Sequence, residues 1–179
     1  MRLSAQTLGG QSKGVSMREV SLFVTILAIM SSLASATDET IVNKQDTDRI
    51  FSFDRAQWES YARQLTYPPD WKVRLHPVDT GTAIMALDLE KNMGLSVHPL
   101  FMEKGGPPAM LIVGSYYPSG TFPTFSDDLR NQMESAARTD LGPAYSVSLS
   151  FKRMALFEAE FDVIQVMILQ ASPESKSSE

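Results

Sequence analysis

The sequence contains no cysteine among its 179 residues, and only two histidines and two tryptophans. The missing thiol excludes disulfides, thiolate metal sites, iron–sulfur clusters, a cysteine nucleophile and a lipid-modified cysteine anchor. Basic residues are also scarce, 16 Lys and Arg against 21 Asp and Glu, with a pI near 5.1. Neutralising a phosphate backbone takes clustered cations, so this balance argues against a nucleic-acid partner. Long apolar runs are missing as well. A membrane span needs about 20 apolar residues, and the most apolar stretch, Val20 to Leu33, is shorter and carries Ser21, Thr25, Ser31 and Ser32.

That stretch is followed by Ala34-Ser35-Ala36 and then by polar Thr37-Asp38-Glu39. A short apolar core ending in small residues at −3 and −1 is the build of a secretory signal peptide, with cleavage expected after Ala36. An uncleaved anchor is the alternative. Read from Met17, the leader is compact with Arg18 as its only cation, which makes Met17 a candidate translation start. Removing residues 1–36 takes away Arg2, Lys13, Arg18 and Glu19, and leaves the remaining chain more acidic still. The expectation is an extracytoplasmic protein, periplasmic or secreted, that is no lipoprotein and keeps no stable membrane insertion after cleavage. Residues 37–50 are polar without periodicity and read as a flexible linker, 51–170 as one domain, and 171–179 as a solvated tail.

Within the domain, Asp54 and Gln57 make a capping-box pattern, with Phe53 and Trp58 at the staple positions. Trp58, Tyr61, Ala62 and Leu65 recur at helical spacing, and Pro68-Pro69 ends the helix. The period then changes to two. Trp71, Val73 and Leu75 alternate with Lys72, Arg74 and His76, and further strands follow at Thr82–Leu89, Leu95–Pro99 and Ala109–Tyr116. Ser126 caps a second helix with Asp127 and Asp128 in its first turn, and Gly142-Pro143 ends it. Tyr145, Val147, Leu149 and Phe151 alternate strictly with Ser146, Ser148, Ser150 and Lys152. The segment Met154 to Gln170 fits either a helix stripe or a Val- and Ile-rich strand. Strand from about Glu160 is the reading adopted, although neither Gly nor Pro marks the hairpin it requires. The expected fold is α+β, a two-layer sandwich of about six mainly antiparallel strands with two helices on one face, in the order α-β-β-β-β-α-β-β.

Leu75-His76-Pro77-Val78 and Val97-His98-Pro99-Leu100 are near copies. Proline at a strand end or edge, where no ladder donor is needed, accounts for both. By alternation His76 and His98 share a face, and with Asp79, Asp88 or Glu90 they would supply a two-histidine, one-carboxylate metal site. Ser115 beside either histidine is a nucleophile candidate, but Gly114-Ser115-Tyr116-Tyr117-Pro118 lacks the second glycine of a nucleophile elbow. Asp88 with Glu90, and Glu158, Glu160 and Asp162, read as carboxylates on a solvated sheet surface. Tyr116, Tyr117, Phe122 and Phe125 crowd into one loop punctuated by Pro118, Gly120 and Pro123. They either plug the base of the second helix or form an aromatic anchor for a partner or ligand.

These observations lead to the expectation of an exported, non-catalytic binding or interaction protein of the cell envelope or periplasm, without a cofactor. Its contact surface would be the aromatic loop, and its partner a protein or small ligand of the envelope. The alternative is a small extracytoplasmic hydrolase or metal-dependent enzyme using His76 and His98.

Overall fold

The computed structural model describes residues 43–103, 105–122 and 125–171. The stretch read as a signal peptide, the candidate start at Met17 and the tail beyond 171 lie outside the described residues. Three helices and six strands follow one another as α1 (Lys44–Phe51), α2 (Arg55–Gln64), β1 (Lys72–Val78), β2 (Gly81–Asp88), β3 (Met93–Leu100), β4 (Met110–Pro118), α3 (Asp127–Leu141), β5 (Tyr145–Leu156) and β6 (Ala159–Gln170). The strands form one antiparallel sheet in the order β1-β2-β3-β4-β6-β5. β1 to β4 are a meander. The chain then crosses through α3 to β5 at the edge, and the closing hairpin slots β6 between β4 and β5. The expected α+β class and all six strands are present.

The helix count differs from the expectation by one. The segment 44–50, read as linker, belongs to α1. Asn43 caps it by accepting from the Asp46 N–H, and Thr47, Ile50 and Phe51 are buried. Those three positions are spaced as one helical stripe, which a boundary drawn between 50 and 51 cuts in two.

The helix ends behave as their residues dictate. Asp54 accepts from the Gln57 N–H at 2.8 Å and Gln57 Oε1 accepts from the Asp54 N–H at 2.8 Å, completing the capping box of α2. Ser126 caps α3 through the Leu129 N–H at 3.1 Å. Trp58, fully buried, donates its indole N–H to the Thr82 carbonyl at 2.6 Å and ties α2 to β2. All three helices contribute to one core, Ile50 and Phe51 from α1, Trp58 and Ala62 from α2, Ala137 and Leu141 from α3. They meet Ile84, Ala86, Leu95, Val97, Leu111, Val113, Ile164, Val166 and Ile168 of the sheet. By the period of two, every second residue of each strand points the other way. Among the described residues, no helix packs on that second face. It holds a minor cluster of Leu87, Tyr116, Phe161 and Val163, joined by Met85, Met154, Leu156 and Phe157.

Phe157 belongs to the turn between β5 and β6. The pairing Leu156↔Ala159 leaves Phe157 and Glu158 as its two central residues, both left-handed at φ 52° and 65°. Such a turn ordinarily takes Asn-Gly, so the missing glycine signal is explained by side chains that accept the strain. Burial of Phe157 in the minor cluster offsets it, and the Arg74 guanidinium lies 4.4 Å from the centre of the Phe157 ring.

Candidate functional site

The aromatic loop is built around a buried carboxylate. Asp162 is fully buried on the helix-covered side of β6. Its Oδ2 accepts from the backbone N–H of Gly120 at 2.8 Å and of Phe122 at 3.0 Å, and its Oδ1 accepts from Arg153 Nε at 2.8 Å. Burial disfavours the charge, but the Arg153 guanidinium and the two loop N–H groups outweigh it and hold the Asp162 carboxyl below the usual carboxylate range. The loop also closes on itself, with the Thr121 N–H and hydroxyl both donating to the Pro118 carbonyl. Residues 118–122 of the loop are thereby tied to β6 and to one another.

Tyr116 and Tyr117 lie on β4 and not in the loop, and since consecutive residues on a strand point to opposite faces the two are separated. Tyr117 is 3% exposed and enters the main core, meeting Phe122 edge-on at 5.0 Å between centroids. Burial pushes its phenol up to about 12. Tyr116 is 5% exposed on the other face, edge-on to Phe161, and its hydroxyl donates to Ser96 Oγ at 3.3 Å. Phe122 and Phe125 are half-buried, and both meet Phe151 of β5. Phe125 stacks on it at 4.3 Å and 21°, and Phe122 lies 6.4 Å away. The four aromatics thus divide. Tyr117, Phe122 and Phe125 form one wall with Phe151, and Tyr116 belongs elsewhere. Phe151 was not among the expected site residues, although its alternation with Val147 and Leu149 already placed it on the same side.

His76 and His98 share the open face, as alternation requires. The pairs His76↔Ala83 and Ile84↔Val97 put Ala83 between the two histidines in one cross-strand row. Their backbones stand two strand spacings apart, about 10 Å. Burial lowers the His98 pKa, and its Nε2 is buried without a hydrogen-bond partner. The carboxylates considered for the same site lie elsewhere. Asp88 is buried on the helix side, with its Oδ2 2.9 Å from Lys91 Nζ, and Asp79 and Glu90 lie in turns. Ser115 is buried on the face opposite both histidines. Among the described residues, no group of three His, Asp or Glu side chains is placed to hold a metal ion. The reading of Asp88 and Asp162 as solvated sheet surface is corrected, since both are buried and their lone pairs accept from backbone N–H groups and a cation.

Comparison with known proteins finds no match: no family model fits the chain, and no curated protein and no solved structure is similar to it.

Proposed function

We propose that this is an exported, non-catalytic binding protein whose contact surface is the wall formed by Phe122, Phe125 and Phe151. The observation that carries the reading is the Asp162 anchor. A buried carboxylate that accepts two N–H bonds from one loop and an Arg from the neighbouring strand holds half-buried aromatic rings in a fixed pose. Binding then loses little conformational entropy, and flat rigid rings are the side chains that concentrate energy at interfaces. Export rests on the apolar stretch Val20 to Leu33 and the Ala34-Ser35-Ala36 site that follows it.

The test is affinity capture from the native cell envelope with the wild-type protein and with Phe125→Ala, read by mass spectrometry. The reading requires at least one ligand or protein retained by the wild type and lost by the variant, with both proteins equally folded by circular dichroism. A captured set that is identical for the two proteins overturns it. Export is tested separately by N-terminal sequencing of the protein recovered outside the cytoplasm, where the first residue is expected to be Thr37.

A further inference from the structure

The sheet ends in two edge strands, β1 and β5, and they are finished differently. At the β1 edge Pro77 offers no N–H, and Arg55 donates to the carbonyls of Val78 and Asp79 at 3.2 and 2.8 Å. Proline and a covering side chain both keep an edge from pairing. β5 runs for 12 residues at the other edge. Across the β5–β6 pairing the Ala171 N–H donates to the Ala144 carbonyl at 2.8 Å, which turns the even-numbered N–H and C=O groups of β5 toward β6. Those of the odd-numbered residues point outward, because backbone groups along an antiparallel strand alternate in direction.

α3 and its C-cap take the first of these outward groups. The Tyr145 N–H donates to the Gly142 carbonyl at 3.3 Å. Arg138 donates to the Val147 carbonyl at 3.1 Å, Glu134 Oε1 accepts from the Leu149 N–H at 2.8 Å, and the two side chains are ion-paired at 3.0 Å. The pair supplies the donor and the acceptor that a neighbouring strand would present there. Beyond Leu149 this cover ends. Among the described residues no hydrogen bond reaches the backbone of Phe151, Arg153 or Ala155 from the outer side, and Arg153 and Ala155 are exposed. The uncovered stretch begins at Phe151, the strand residue of the aromatic wall.

We propose that β5 takes up an extended segment of a partner protein as an added strand along residues 151–155. The inference rests on the aromatic-wall reading and deepens it, since it names the form in which the partner arrives beside Phe151. Main-chain hydrogen bonds to an open edge supply affinity, and the side chains flanking it supply specificity. Laid antiparallel, like every other pair in this sheet, the segment sets one residue opposite Phe151. Another, two positions earlier in its own sequence, stands opposite Arg153. An apolar residue suits the first position, beside the stacked Phe151 and Phe125 rings. A carboxylate suits the second. Arg153 gives its Nε to Asp162 while its side chain is 50% exposed, and Lys152 beside it makes no ion pair among the described residues. The nearby carboxylates are already engaged, Asp162 by Arg153 and the loop, Glu160 by the Ser119 hydroxyl at 3.4 Å. A second copy of this chain is disfavoured as the occupant. The antiparallel register that uses the whole stretch twice sets 151 opposite 155 and therefore Arg153 opposite itself, and like charges directly opposed destabilise a strand pair.

The experiment uses the full-length protein and a capped synthetic peptide of about seven residues, rich in valine and threonine, with a glutamate two positions before a phenylalanine. A second peptide carries methyl groups on the backbone nitrogens that would face β5, and a third has lysine in place of the glutamate. Amide hydrogen exchange is followed by NMR. The parent peptide is expected to slow exchange at Phe151, Arg153 and Ala155, and to leave Lys152 and Met154, whose N–H groups face β6, unchanged. Backbone methylation is expected to cost about tenfold or more in affinity, and lysine for glutamate to cost less. Ala155→Pro removes an outward N–H that the sheet does not use, so it is expected to keep the wild-type circular dichroism and to bind the parent peptide about tenfold more weakly. No protection at the highest soluble peptide concentration, protection without the alternation, or equal binding of the parent and methylated peptides overturns the proposal. So does protection that rises with protein concentration alone, the mark of a second copy. Phe125→Ala separates the two readings. Weaker binding of the parent and methylated peptides alike to this variant, with no loss on methylation, keeps the wall and rejects the added strand. Undiminished binding with alternating protection rejects the wall as the contact surface and leaves an edge that pairs without it.

Discussion

The two faces of this sheet are made from the same strands and differ in nearly every physical respect. The helix-covered face gathers Ile84, Leu95, Val113, Ile164 and Ile168 at 4% exposure or less, together with all three strand carboxylates. The open face replaces them with serines, methionines, two histidines and three cations. Neighbouring residues such as Ile112 and Val113 therefore do different work. One is half in water and the other closes a core. A sheet with one buried and one wet face needs only polar residues on the wet side, and here the serines and histidines of that side stand beside a minor apolar cluster that the β5–β6 turn closes over.

Matched substitutions test the contrast, beginning with the largest effect. Ile164→Ala, on the helix-covered face, is expected to cost about 4 kcal/mol in urea unfolding, because the cavity it leaves is enclosed on every side. Asp162→Asn presents an amide donor to N–H groups that need an acceptor, and is expected to cost about 2–3 kcal/mol. Its pH dependence is signed. The folded carboxyl is held below its usual value, so the stabilisation is complete above the unfolded pKa of about 3.9 and is lost as pH falls through the folded one. The gap between wild type and Asp162→Asn is therefore expected to stay constant from neutral pH down to about pH 5 and to close in stronger acid. Glu158→Gly moves the other way, raising stability by about 1 kcal/mol through release of a left-handed side-chain conformation. The smallest effect belongs to Ile112→Ala, under about 1 kcal/mol, since its surroundings are already open to water. Equal costs for Ile112→Ala and Ile164→Ala in parallel denaturation curves would erase the distinction between the faces.

Much of this arrangement is legible in the sequence wherever local chemistry decides. Asp54 with Gln57, Ser126 with Leu129, and the alternation from Tyr145 to Phe151 all specify structures that depend on residues within a few positions of one another. Alternation alone also places His76 and His98 on one face. The rest depends on pairing at a distance. Nothing near His76 in the chain announces that Ala83 will stand between it and His98, because that follows from two strand registers. The depth of Asp162 is hidden for the same reason. Its partners Gly120 and Phe122 lie some forty residues earlier, and a lone aspartate between Phe161 and Val163 resembles any solvated strand residue. The β5–β6 turn eludes reading because its two central positions use Phe157 and Glu158 where backbone preference asks for Asn or Gly. Strain of that kind is set by what the side chain buries, and burial is a property of the whole fold.

The strand order has a consequence for how the molecule comes into being. β6 is the last of the described strands and yet lies between β4 and β5, pairing with both along most of its length. Until residues 161–168 emerge, the meander has an unpaired edge at β4, β5 has no neighbour, and the centre of the core is missing Ile164, Val166 and Ile168. Long-range closure of this sort comes late and slowly in folding. A chain threaded through a ribosomal tunnel or a translocation channel thus remains extensible until its final strand is free, and then closes from the middle outward.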